Sequence, residues 1–195
     1  MAAKGVSTTA EPLEYDEYLR LIEHLDRDGI YLWQLFCVLA CAFALRVSDA
    51  LRQTWHDVLN VEVFWVREGK TGKEKRVRVN PSVRAKINDL YVKLGKPDLD
   101  QLVFLSKRTG RPYTRQNIGY HLRKYKKKYL LSIDKFSSHS FRKTYGQKAF
   151  KELGETDRAL IILSREYNHS GPEVTRRYIG IKDAEYEATY NAIQF

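Results

Sequence analysis

Cysteine is scarce. Cys37 and Cys41 are the only two in 195 residues, four apart inside an apolar run. With no spaced histidine beside them they offer no zinc site, and they read as buried thiols of a reducing cytoplasm. Long apolar stretches are missing too: the run from Ile30 to Leu45 is too short to cross a bilayer and reads as a core helix. The opening Met-Ala-Ala-Lys-Gly-Val-Ser has no apolar centre and is not expected to be a secretory signal. No cluster of carboxylates suits a two-metal nuclease, and no repeat or low-complexity segment occurs. Negative charge is also in short supply. Against 34 Lys and Arg stand 24 Asp and Glu, a net charge of +10, and the pI is near 9.5. A polyanion is the natural partner, although ribosomal and membrane-surface proteins share this balance. The length suits one domain with a real core, with room for a short tail.

What is present gathers between residues 139 and 178. That stretch reads His-Ser-Phe-Arg at 139–142, Asn-His-Ser at 168–170 and Thr-Arg-Arg-Tyr at 175–178. An arginine fork fits phosphate oxygens in a way lysine does not. Histidine moves protons near neutral pH, and a tyrosine facing phosphorus can form a covalent intermediate. Together these are the parts of a metal-free phosphoryl-transfer site. Each has an ordinary reading as well. Tyr178 is one of thirteen tyrosines, and Asn168 with Gly171 and Pro172 reads as a turn. Their order favours the site, since Arg46 stands far upstream in Ala-Leu-Arg-Val-Ser-Asp-Ala-Leu.

Taken together, Arg46, Lys70, His139, Arg142, His169 and Tyr178 resemble the catalytic set of the tyrosine recombinases, the phage-integrase-type site-specific recombinases. Leu45 to Asp49 is similar to that family's Leu-Arg-x-Ser-Glu/Asp box. Lys70, in Gly-Lys-Thr-Gly-Lys, is similar to the lysine of its β-hairpin. Residues 139–142 are similar to its His-x-Leu-Arg box, with Phe141 for leucine. His169 and Tyr178 match its final Gly-His…Tyr box, with Asn168 where glycine is usual.

The resemblance implies an α+β, mainly α-helical catalytic domain with a small antiparallel hairpin over residues 12–182. A flexible segment, 1–11, precedes it. A tail helix, 183–195, follows, and in the family such a tail commonly docks into a neighbouring subunit. The family's usual N-terminal core-binding domain is not recognisable here, so the chain is expected to be a catalytic fragment or a minimal member. The implied partners are double-stranded DNA and other recombinase subunits, as a tetramer on DNA. No membrane, cofactor or metal is implied, and the implied location is the cytoplasm, on the nucleoid.

By the same resemblance Tyr178 attacks the scissile phosphate to give a 3′-phosphotyrosyl link, while Arg46 and Arg142 clamp the non-bridging oxygens. Lys70 is the general acid, with Lys73 on the same glycine turn as its rival. His139 is the base for the tyrosine, His169 hydrogen-bonds the phosphate, and Asp49 buttresses Arg46. A type IB topoisomerase and a non-catalytic basic DNA-binding module are the alternatives.

Local patterns place these residues. Leu13, Tyr15, Tyr18, Leu19, Ile22 and Leu25 recur at helical spacing up to Asp28-Gly29. The helix from Ile30 should cross the middle of the domain, with Arg46 at its C-terminal end where the helix dipole favours a cation. Simple capping by Arg46, with Asp49 as its partner, is the plainer reading. Val61–Val66 and Arg76–Val79 read as strands around the turn 68–73. On that hairpin Lys73, Lys75, Arg76 and Arg78 are expected to neutralise phosphates. Ser82–Leu94 reads as a helix. Thr114 should cap another that runs to about Tyr129, with Ile118, Leu122, Tyr125 and Tyr129 inward. Its Arg115, Arg123, Lys124, Lys126, Lys127 and Lys128 are expected to face the DNA backbone. Ser137 or Ser138 should cap the helix of His139 and Arg142. Residues 156–167 read as an amphipathic helix with Ala159, Ile162, Leu163 and Tyr167 inward, and Tyr186, Tyr190 and Ile193 give the tail its helical spacing.

Overall fold

Short polar side chains start most of the helices in the computed structural model, which describes residues 10–181. Asn80 accepts the backbone N–H of Val83 at 2.9 Å and opens α5 (Pro81–Lys93), with Pro81 in the first turn where its missing N–H costs nothing. Reciprocal capping by Thr114 and Asn117 opens α6 (Arg115–Lys128), and Ser137 with Ser140 does the same for α7 (Ser138–Glu152). Thr156 caps α8 (Asp157–Glu166). The other helices are α1 (Tyr15–Arg27), α2 (Tyr31–Ala42), α3 (Val47–Ala50), α4 (Trp55–Val58) and α9 (Pro172–Ile179). The expected tail helix lies outside the described residues. Among those residues no helix is long and apolar enough to cross a membrane.

Helix α2 is apolar on nearly every side, and its residues from Trp33 to Cys41 are all buried. It packs against α1, α5 and α7 and so runs through the larger core, as its composition requires. Burial of each large apolar side chain contributes about 1.5–3 kcal/mol, so Leu35, Phe36 and Leu39, all 1% exposed or less, anchor the domain.

The hairpin pairs β1 (Val63–Arg67) with β2 (Glu74–Arg78), antiparallel, in the register Phe64↔Val77, Trp65↔Arg76 and Val66↔Lys75. Phe64, Val66, Lys75 and Val77 point to the core, while Trp65, Arg67, Arg76 and Arg78 point to solvent. The mainly helical architecture with one small antiparallel sheet agrees with the sequence reading.

Two features differ from it. The apolar run after Ile30 is not one helix to Leu45, because α2 stops at Ala42 and Ala44 takes a left-handed φ of 47°. Side chains accept the role of capping its end: Lys75 Nζ donates to the Phe43 carbonyl and Arg142 to the Ala44 carbonyl. Arg46 therefore stands at the N-cap of α3, not at a helix C-terminus. In α8 the buried line is Ala159, Leu160 and Leu163, continued by Tyr167, and Ile162 faces solvent at 44% exposed.

A second, smaller core joins Ala44, Phe150, Ala159, Leu160, Leu163, Tyr167 and Ile179. It fastens α9 to α7 and α8. The crossing of α9 on α7 is close at Gly146, where a Cβ would stand 2.5 Å from both Ile179 Cγ2 and the Tyr167 hydroxyl oxygen.

Candidate active site

Where the two cores meet, Arg142 is drawn from α7 into the interior and is 2% exposed. One terminal nitrogen donates to the Ala44 carbonyl and the other to the Tyr167 carbonyl at 3.0 Å. Its guanidinium carbon lies 4.4 Å from the Tyr167 ring centroid and 5.9 Å from that of Tyr178. The Tyr167 hydroxyl donates back to the Arg142 carbonyl at 2.6 Å. Two of the five N–H donors hold the fork in place, and three remain for a ligand.

Arg46 is ion-paired with Glu68, which is 1% exposed at the start of the hairpin turn. Burial alone would raise that carboxyl. Hydrogen bonds from Arg46 and the Thr71 hydroxyl outweigh it, with help from Asn168, and the group sits below its ordinary range. Asp49 is not the partner expected. It lies in the first turn of α3 and accepts from Arg52 Nη2 at 2.7 Å and from the Gly69 N–H at 3.0 Å. Its carboxylate thus ties α3 to the hairpin turn, and the buttress of Arg46 comes from Glu68, 22 residues on. Nothing in local spacing points to Glu68; its place two residues before Lys70 is the one available signal.

His139, in the first turn of α7, is partly buried. Burial pulls its pKa down, and Arg115, Arg142, Arg46 and Lys143 add to the effect, so the neutral base is favoured. The turn 168–171 carries His169, whose Nδ1 lies 2.9 Å from the Thr175 hydroxyl. Burial and the charges of Arg142 and Arg46 lower its pKa to about 4. Asn168, in the usual place of glycine, adopts a left-handed φ of 53°, a conformation that asparagine tolerates better than most residues.

Tyr178, on α9, packs edge-on against His169 and Tyr167, with ring centroids 5.1 and 5.5 Å away. Its hydroxyl is buried and has no hydrogen-bond partner among the described residues. Burial pushes the phenol up, while Arg142 and Arg46 pull it back. Arg46, His139, Arg142, His169 and Tyr178 therefore converge. Lys70 is exposed on the hairpin turn at the rim of this group, close enough for its charge to act on His169, and Lys73 is exposed on the same turn.

The basic residues named from the sequence divide. Arg76 and Arg78 lie on the outer face of the hairpin, flanking Trp65, which is 63% exposed. Lys75 does not share that surface. It is 4% exposed, and its ammonium bonds the Phe43 carbonyl at 2.7 Å and Glu166 at 2.9 Å. Strand alternation is the reason: Lys75 shares a face with Val77 and Val79. Lys75→Met leaves a buried carbonyl unsatisfied and should cost about 1–3 kcal/mol in denaturant unfolding. A loss under about 0.5 kcal/mol, typical of a surface site, would contradict that role.

On α6, Arg115, Arg123, Lys124 and Lys127 are exposed. Lys126 donates to the Asp134 carbonyl at 2.8 Å and Lys128 pairs with Asp28 at 2.6 Å, so these two charges are already engaged. The 124–128 block also lies toward the opposite end of α6 from Arg115, roughly 13–20 Å along the helix at about 1.5 Å per residue. Only the Arg115 end adjoins His139.

Residues 11–185 match the Phage integrase family. The chain is 32% identical over 147 residues, 75% of its own length and 76% of the relative's, to the probable integrase/recombinase YoeC of Bacillus subtilis (strain 168). The fold is similar to XerA recombinase, with a TM-score of 0.69 at 22% identity over 96% of this chain and 67% of that one. It is also similar to the Tn1549 transposon integrase solved with transposon right end DNA, with a TM-score of 0.73 at 16% identity over 98% of this chain and 69% of that one. With the profile covering nearly the whole of the described structure, the chain belongs to the Phage integrase family, that of the tyrosine recombinases.

Proposed function

We propose that this chain cleaves and rejoins DNA in site-specific recombination, with Tyr178 as nucleophile. The observation that carries the reading is the Tyr178 hydroxyl, buried without a partner among the described residues and set beside Arg142, Arg46 and two histidines held toward neutrality. Tyr178 Oη attacks the scissile phosphorus, the bond to the 5′ oxygen breaks, and the 3′ phosphate stays on the tyrosine. Rejoining is the reverse, attack by a 5′-hydroxyl that returns the bond to DNA, so the bond energy is kept. His139 takes the phenolic proton. Arg46, pre-aimed by Glu68, and the three remaining donors of Arg142 stabilise the pentacoordinate charge. His169 donates to a phosphate oxygen, and Lys70, swung in on its glycine-flanked turn, protonates the leaving 5′ oxygen. Because the Tyr178 hydroxyl is shielded from solvent, DNA binding must uncover it.

On the DNA side, Lys73, Arg76, Arg78 and Arg115 are the backbone contacts nearest this centre, with Arg123, Lys124 and Lys127 further along α6. A lambda integrase of similar fold has been solved as a tetramer on a Holliday junction, which supports assembly of this chain with further subunits on DNA. The test is incubation with nicked suicide duplexes in excess EDTA, followed by denaturing electrophoresis. A covalent protein–DNA band is expected without divalent metal. A band that needs a divalent ion, or none on any duplex, would overturn the mechanism.

A further inference from the structure

Resting on that catalytic reading, we propose that a cavity of about 450 Å³ between the first turn of α7 and Tyr178 is a second phosphate subsite, where Lys143 neutralises a DNA phosphodiester next to the one attacked. Lys143 lines this cavity with Ser137, His139 and Tyr178. It is 4% exposed, yet it has no hydrogen-bond or ion-pair partner among the described residues. Its ammonium lies 5.3 Å from the Tyr178 ring centroid. Among the described residues the other lysine buried to this degree, Lys75, has both a carbonyl and a carboxylate. The cavity leaves its ammonium open to an arriving anion, and burial of the rest of the side chain pulls that ammonium down while the Glu11 carboxylate acts against it. Glu11 is no substitute for an ion pair, since its carboxylate accepts the backbone N–H groups of Asp134 and Lys135. The positive end of α7, a 15-residue helix, adds to the attraction for an anion.

The ligand follows from geometry. His139 and Tyr178 belong both to this cavity and to the reaction centre. Each DNA strand carries one phosphate per about 3.4 Å of helix axis. A phosphate held at the reaction centre therefore brings its neighbour on the same strand to the cavity mouth. Lys143 would then fix the strand in register with the nucleophile, and the arriving phosphate would relieve its unpaired charge.

The experiment uses the Tyr178→Phe protein, so that no adduct disturbs equilibrium, and titrates its binding to a duplex of fixed length against salt. Lys143→Gln in this background should weaken binding several-fold and make the slope of log K against log salt shallower by about 0.9, one phosphate contact. Lys143→Arg should keep the slope. An unchanged slope in Lys143→Gln would mean that Lys143 merely props the Tyr178 ring, and the subsite would be refuted. Should Lys143→Gln fail to fold, the Lys143 side-chain NMR signal, assigned by its absence from Lys143→Arg, decides the matter. Its pKa must rise when DNA binds, and no change overturns the proposal. Both readouts concern binding alone, so they stand apart from adduct formation by the unmutated chain.

Discussion

Tyr178→Phe is expected to abolish the covalent protein–DNA band while DNA affinity stays within about twofold. The substitution removes one atom, the hydroxyl oxygen, and that atom has no hydrogen-bond partner among the described residues. Ring contacts with Tyr167, His169 and Lys143 survive in phenylalanine. Folding should not suffer either. A buried hydroxyl without a partner costs about 1–3 kcal/mol by mutational measures, so the melting temperature of the variant should hold or rise. A protein less stable for losing the nucleophile would mean that the hydroxyl is bonded in solution. An adduct that persists in the variant would place the nucleophile elsewhere.

Arg142→Lys should lower cleavage by at least about a hundredfold, equivalent to 2–3 kcal/mol of transition-state binding. The charge is kept, so charge alone cannot explain the loss. Arg142 bridges two carbonyls, those of Ala44 and Tyr167, and still has three N–H donors for phosphate. A single ammonium cannot hold both carbonyls and present a fork to two oxygens. Some stability should be lost with it, so the rate is to be measured on protein shown to be folded by near-UV circular dichroism. A near-normal rate would reduce Arg142 to a structural cation.

Where a signal was local, the sequence was readable. The caps at Thr114 and at Ser137 or Ser138 and the period-two alternation of the hairpin placed α6, the start of α7 and the sheet to within a few residues. The six spaced motif residues pointed to the Phage integrase family, to which the chain belongs. What escaped were interactions between distant segments. The break at Ala44 lies inside an unbroken apolar run and is fixed by Lys75 and Arg142, 31 and 98 residues away. Asp49 looked like the partner of Arg46 because it is three residues on, yet the folded chain brings Glu68 there instead. Lys75 was misplaced for another reason: its charge outweighed the alternation that set it among Val77 and Val79. Ile162 and Leu160 are neighbours of equal hydrophobicity on α8, and only the position of the second core decides which one turns inward.

Gly146 has a consequence for how this enzyme can vary. By admitting the Tyr167 hydroxyl and Ile179 against the bare backbone of α7, it sets how near α9 approaches, and α9 carries Tyr178. The position thus works as a spacer gauge between Tyr178, the proposed nucleophile, and the guanidinium of Arg142. An added methyl there would press on Ile179 of α9 and on the Tyr167 hydroxyl, which is tethered to the Arg142 carbonyl, so it is expected to move α9 outward. On the proposed mechanism, Gly146→Ala is expected to keep DNA affinity while lowering adduct formation. Grip and cut would then be separable at a residue with no side chain.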